Sequence, residues 1–287
     1  MSALTAQPAT EAMGELRLCI GRRGGRSVAT HQYHRGALRV LRPHYLDESE
    51  QVCYVIVNPG GAYLGGDLYT IDFEVGRDAR LLLTTQSATK IYKTPDTFAE
   101  QRMRITLGPD AALEYAPDQL IAYRQANYRQ NAVIEMDETA SLILSEVITP
   151  GWSPDGEPFR YEQLRLRNEI RRGGRLLAID NLLIRPPIST GAADQAAGPA
   201  FMEGYSHLGS LLVVDPRVGP ALVDEMHALL REFEQDTLTG ISQLNGPGFV
   251  VRSLSHSTEK LNALIGCLTA LLRERWFGQG PLNLRKY

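Results

Sequence analysis

The chain has 287 residues, 43% of them hydrophobic and 22% charged, enough to bury a sizeable core in one or two domains and too apolar a balance for intrinsic disorder. Its formal net charge of −3 gives no electrostatic case for nucleic acid, and no apolar run approaches the roughly 20 residues that span a bilayer. Cys19, Cys53 and Cys267 are scattered without C-x-x-C spacing, and the N-terminus lacks a secretory pattern, which fits reduced thiols in a cytoplasmic protein.

In chain order, the first dense feature is Asn58-Pro59-Gly60-Gly61 followed by Gly65-Gly66-Asp67. No G-K-[ST] and no helix start follow these glycines, so phosphate-loop readings fail, and two tight turns around Tyr63-Leu64 are expected. A repeat comes next, in which an alternating strand meets a turn and then an apolar strand. Its units are Ile71-x-Phe73-x-Val75 with Leu81-Leu82-Leu83, Met103-x-Ile105-x-Leu107 with Leu113, Ile134-x-Met136 with Leu142-Ile143-Leu144, and Leu164-x-Leu166 and Ile170 with Leu176-Leu177. The small residue after each turn falls at Ala79, Ala111, Ala140 and Gly174, in steps of 32, 29 and 34 residues. Such a period predicts stacked β units, each burying its face on the next; the rival is a plain antiparallel sandwich with similar hairpins.

Beyond Pro186-Pro187 the pattern changes. The expected division is a repeated β scaffold over 1–187, a loop over 188–204 and a β/α part over 205–287 packed on the scaffold as one structural unit. Strands are expected at 211–214, 241–244 and 249–254. Helices are expected from Pro216 to Phe233 and from an N-cap at Ser257 or Thr258, the latter with a stripe of Leu261, Leu264, Ile265, Leu268, Leu271 and Leu272. The fold class is thus mainly β, a β-helix-like or two-layer stack with two α-helices in the C-terminal part.

Two chemistries compete for the polar residues. Ser87-Ala88-Thr89-Lys90 matches the S-x-x-K of serine acyl-transfer enzymes, which need the serine at a helix start. Flanking Thr84, Thr85, Ile91 and Tyr92 favour a strand instead, where residues 87 and 90 face opposite ways. The other candidates are acids within apolar strands. Glu146 alternates with Leu142, Leu144 and Ile148, and Asp180 with Leu176, Ala178, Leu182 and Ile184. The repeat puts Glu146, Asp180, Thr85 and Pro117 at one position of successive units, predicting an interior polar track of Thr85, Glu146 and Asp180, joined by Asp67. A buried carboxylate must be paired, protonated or bound to a cation. Bridging of each acid to a buried arginine or backbone amide stays open.

The string Asn58-Pro59-Gly60-Gly61 to Gly65-Gly66-Asp67, with Leu83-Thr84-Thr85-Gln86-Ser87-Ala88-Thr89-Lys90-Ile91-Tyr92-Lys93-Thr94, resembles the urease accessory protein UreD (UreH) family. The likeness continues through Leu113-Glu114-Tyr115-x-Pro117-Asp118, Thr149-Pro150-Gly151-Trp152-Ser153-Pro154-Asp155-Gly156 and Phe201-Met202-Glu203-Gly204-Tyr205, with Ala62 departing where a third glycine is common. The resemblance implies a non-enzymatic scaffold that binds the urease apoprotein, the helical accessory protein UreF and the nickel-carrying GTPase UreG. It implies no tightly bound cofactor, only Ni²⁺ in transit along an internal path, for which the polar track is the candidate here. Partner contacts favour exposed aromatics, so Tyr63, Tyr92, Tyr123, Tyr128, Trp152 and Trp276 are the candidate docking residues.

Overall fold

The computed structural model describes residues 11–186 and 201–284; most of the loop expected over 188–204 therefore lies outside the described residues. Two sheets face each other. One has seven strands in the order β14-β13-β11-β8-β5-β1-β2. These are β1 (Gly14–Arg23), β2 (Arg26–Gly36), β5 (Leu68–Val75), β8 (Ala99–Leu107), β11 (Asn127–Met136), β13 (Gln163–Arg172) and β14 (Arg175–Ile184). The other has ten strands. Its path runs β16-β17-β15-β12-β9-β6-β4-β3, with β7 and β10 beside it. These are β3 (Arg39–Val40), β4 (Val52–Val57), β6 (Arg80–Thr85), β7 (Thr89–Ile91), β9 (Ala112–Ala116), β10 (Leu120–Ala122), β12 (Ser141–Ile148), β15 (His207–Val214), β16 (Thr237–Gln243) and β17 (Gly248–Ser255).

The middle of each sheet is parallel, because each coil contributes one strand to each sheet and then steps to the next level. Thus β5, β8 and β11 each turn a corner into β6, β9 and β12. In-register stacking aligns identical positions into columns. Leu18, Phe73, Ile105, Ile134 and Ile170 form one, and Val52, Leu81, Leu113 and Leu142 another, all at most 2% exposed. Each such side chain contributes about 1.5–3 kcal/mol by leaving water. The first two corners need one residue in the left-handed region. Aspartate supplies it at Asp78 (φ 56°) and Asp110 (φ 57°), tolerated because its short polar side chain bonds locally. Behind them and the third corner, Ala79, Ala111 and Ala140 are fully buried.

The fourth unit departs from the expected repeat. Arg172-Gly173-Gly174-Arg175 places both glycines at positive φ (55° and 75°), the signature of a two-residue hairpin turn. The chain therefore doubles back, and β14 pairs antiparallel with β13 in the same sheet instead of crossing to the other. A register irregularity between Ile170 and Arg171 turns Leu176 outward, where it is 52% exposed, and leaves Leu177 packed on the core. Asp180 is consequently not a ladder neighbour of Glu146. The opposite end is closed the same way, with Arg23-Gly24-Gly25-Arg26 turning β1 into antiparallel β2 at φ 57° and 85°.

The ten-stranded sheet is covered on its outer face by α1 (Pro220–Leu230) and α2 (Thr258–Phe277). Helix α1 starts later than its sequence pattern, because Pro216 lies in a turn closed by Val218 N–H to Asp215 O, and Pro220 takes the first helical turn. Ser257 caps α2, accepting from the Glu259 and Lys260 amides, and Gly278 (φ 63°) ends it. Leu211, Val213, Phe249 and Val251 pack against Leu222, Met226, Leu264 and Leu268 of the helices. Among the described residues no helix is long and apolar enough to cross a membrane.

One ion pair bolts α2 to the sheet. Arg273, 2% exposed, pairs with Glu114 of β9, 4% exposed, and also reaches Gln51 Oε1 at 3.4 Å and the Gly280 carbonyl at 3.0 Å. Removing one member leaves the other buried without its main counter-charge, although Asp47 at 3.5 Å remains a second partner for Arg273. Arg273→Met is expected to cost about 3–5 kcal/mol in urea unfolding, and Glu114→Leu added to it should restore much of that loss. A double variant no more stable than Arg273→Met would show that the pair itself is not the source of the cost.

Candidate functional site

The inward face of the seven-stranded sheet is mostly apolar, and its polar exceptions collect in one place. Tyr69, Gln101 and Gln130 occupy the same register on β5, β8 and β11. Parallel strands lie about 4.8 Å apart, within hydrogen-bonding reach of neighbouring glutamines. Gln101 Nε2 donates to Gln130 Oε1 at 3.3 Å, and Gln130 Nε2 donates across the sandwich to Glu146 Oε1 at 2.6 Å. Tyr63 OH donates to Gln101 Oε1 at 2.6 Å, and Tyr128 OH to Gln130 Oε1 at 3.2 Å. Tyr69 stacks on Tyr63 with ring centroids 3.8 Å apart, and its hydroxyl donates to Asp67 Oδ2 at 3.1 Å. At the far side Asn168 Nδ2 donates to Glu146 Oε2 at 3.3 Å. Asp180, opposite Asn168 on β14, pairs with Arg252 of β17.

A cavity of about 50 Å³ lies along this chain, with Tyr63, Thr85, Gln101, Asp118, Gln130 and Glu146 in its wall. Its wall mixes these polar groups with Ile56, Ile71, Leu120 and Leu166, and it is roomy enough for an ordered water, which needs only about 10–15 Å³. A second recess of about 40 Å³, lined by Asn58, Gly61, Ser87 and Lys90, shares Tyr63 and Thr85 with it. The glycine turns thus frame one end of the interior chain. Asp67 also closes the second of them, accepting the Leu64 amide at 2.8 Å.

Of the sequence candidates, Thr85 and Glu146 meet at the cavity in the expected register, on either side of Pro117 at the end of β9. Asp67 joins through Tyr69 and Tyr63. Asp180 arrives from the opposite sheet, already bridged to Arg252, so one arginine bridge of the open alternative exists. Glu146 is held instead by two neutral amides. Tyr69, Gln101, Gln130, Asn168 and Arg252 were missed, although the first four carry the signal that found Glu146. Each is polar at a position in phase with an apolar face, as Gln101 is with Met103, Ile105 and Leu107.

Burial pushes the Glu146 carboxyl up to about 7, with the Asp180 charge adding to the shift and Arg252, Gln130 and Asn168 opposing it. Glu146 lines the cavity, which accounts for its partial accessibility. Burial raises the Tyr63 and Tyr128 phenols well above their ordinary range, so both stay hydroxyl donors.

The aromatic candidates divide. Tyr63 (5% exposed) and Tyr128 (0%) belong to the interior chain, and Trp276 (9%) packs among the helices with Arg217 over its ring at 4.8 Å. Buried rings offer no surface to a partner, which corrects these three. Tyr92, Tyr123 and Trp152 instead form an outward ladder on successive coils, with ring centroids 4.7 and 4.9 Å apart. Tyr92 is 40% and Trp152 51% exposed. Ser87 lies in a bend after β6 and Lys90 in β7, so the helical start that S-x-x-K chemistry requires is not formed.

A raised carboxyl has a linked effect on stability. Between its ordinary 4.5 and about 7, folded Glu146 holds a proton that the unfolded chain has lost. Stability is therefore expected to fall as pH rises through that window, by up to about 3–4 kcal/mol. Glu146→Gln should remove this part of the slope and unfold at higher denaturant than the parent at pH 8. Identical pH profiles for the two proteins in urea titrations would count against a raised Glu146.

The sequence model described as "UreD urease accessory protein" matches residues 12–286. The urease accessory protein UreD of Arthrobacter sp. (strain FB24) is 65% identical over 96% of this chain and 94% of its own length. That of Paenarthrobacter aurescens (strain TC1) is 60% identical over 96% and 95%, and that of Actinomyces naeslundii 50% over 96% and 98%. With the match running through both sheets and both helices, the chain belongs to the UreD family of urease accessory proteins.

Proposed function

We propose that this chain serves urease maturation as a non-catalytic scaffold. It would hold the urease apoprotein together with UreF and the GTPase UreG during GTP-dependent nickel insertion, while Ni²⁺ passes through the sandwich along the Glu146 chain. The observation that carries the relay is a run of polar side chains through an otherwise apolar interior, joined by hydrogen bonds except where the Tyr69 and Tyr63 rings stack. It runs from Asp67 beside the glycine turns, through Tyr69, Tyr63, Gln101 and Gln130, to Glu146. Sheet stability does not require such a path, since apolar columns fill the rest of the core.

The donor set suits cargo in transit. It offers carboxylate, amide and phenol oxygens, which hold Ni²⁺ more loosely than imidazole or thiolate. Among the described residues no group of three or more His, Cys, Asp and Glu side chains gathers where a metal would be trapped. Glu146 is the central acid, because Asp180 already has a cationic partner in Arg252. For partner contact the Tyr92–Tyr123–Trp152 ladder is the favoured surface, being aromatic, exposed and rigidly spaced by the coils.

Two measurements separate relay from scaffold. Glu146→Ala should leave co-purification with urease, UreF and UreG intact while lowering nickel per urease active site, by about tenfold at limiting nickel. Full nickel loading with the complex intact would remove the relay and leave the scaffold. Combined Tyr92→Ala and Trp152→Ala should weaken partner binding by about 2 kcal/mol, roughly thirtyfold in Kd, without lowering the unfolding midpoint. Undiminished affinity would exclude the ladder as a docking surface.

A further inference from the structure

The seven-stranded sheet ends at β14, whose second edge pairs with no strand among the described residues. Among the described residues its ten-residue edge is left open to a further strand, and proteins usually blunt such edges with charge, proline or cover. On β14 the outward side chains are apolar apart from Asn181, which lies between Ile179 and Leu183. Ile179 is 51% and Leu183 45% exposed, and Leu176 beside the hairpin is 52% exposed. On the neighbouring strands the outer face of this sheet is largely polar and charged, as at Arg165, Arg167 and Glu169 of β13.

Arginine outnumbers acid around this edge. Arg165, Arg172, Arg175 and Arg185 have no acidic side chain paired with them among the described residues. Arg165, Arg172 and Arg185 bond to Asn181, the Glu138 carbonyl and Gln163. Arg175 and Arg185 stand at and just beyond the two ends of β14. Acids are present but fewer: Glu138 lies against the Gly173 turn, Asp137 feels the Arg172 charge, and Glu169, opposite Ile179, is engaged by Arg167 and Arg171. A second copy of the chain fits it poorly. Antiparallel self-pairing centred on Asp180 would set Arg175 of one copy against Arg185 of the next.

We propose that the free edge of β14 docks an extended acidic segment of a partner protein, with aliphatic residues at alternate positions, which adds as a further strand. Main-chain hydrogen bonds would supply affinity, Ile179 and Leu183 an apolar strip, and the arginines the selection for acid. The proposal stands independently of nickel relay.

The test uses the full chain and a fluorescent ten-residue peptide alternating valine with glutamate. Binding by anisotropy is expected, weakened at least about tenfold by lysine in place of glutamate, by N-methylation of alternate amides on one edge, and by 0.5 M salt. Ile179→Ser with Leu183→Ser should weaken it similarly. Arg165→Glu with Arg175→Glu should reverse the preference toward the lysine peptide; all four positions are exposed, so the core is untouched. The proposal is overturned by absence of binding, by equal binding of the lysine or N-methylated peptides, or by concentration-dependent dimerisation that the serine variant abolishes.

Discussion

Parallel, in-register stacking of coils is the constraint on which the rest of this molecule depends. When each coil sits directly on the previous one, every inward position acquires neighbours about 4.8 Å above and below. Phe73, Ile105, Ile134 and Ile170 satisfy this by forming an apolar column. The same geometry makes a single inward polar residue costly, because it would face hydrocarbon on both sides. Tyr69, Gln101 and Gln130 meet the constraint together, each supplying the next with a partner or bordering one that does. The polar chain is thus a column of the stack in which the neighbours agree to be polar.

Glu146 ends that column from the other sheet, and its surroundings set its chemistry. Two amide donors hold its oxygens, yet neither brings a positive charge, and the Asp180 charge opposes its ionisation. Arg252 is engaged with Asp180, so it only partly offsets the cost of ionising Glu146. The result is a carboxyl poised near neutrality at a small cavity, next to the recess that the glycine turns line.

The ends and outer faces assign the remaining surfaces. Arg-Gly-Gly-Arg hairpins terminate the parallel stack at both ends, because two successive left-handed residues reverse a strand where a single one turns a corner. One outer face is buried by α1 and α2 and fixed by the Arg273–Glu114 pair, while the other stays in water. This explains why strands of the ten-stranded sheet read as apolar runs, such as Leu142-Ile143-Leu144, and those of the other alternate.

The sequence by itself determined the β stack, its period, the start of α2 at Ser257 or Thr258, and the register that brings Thr85 and Glu146 to one cavity. These follow from local turn chemistry and side-chain period, which are written along the chain. Its motif string also carried the family. Only the tertiary structure decided that Asp180 approaches Glu146 from the opposite sheet, that Arg252 meets it there, and that Tyr63 and Tyr128 point inward while Tyr92 and Trp152 point out. The Gly173-Gly174 turn was visible, but whether it continues the repeat or reverses it depends on two backbone dihedrals rather than on composition. Contacts between residues 72 apart, such as Asp180 and Arg252, depend on how two sheets face each other, and no periodicity within either strand encodes that.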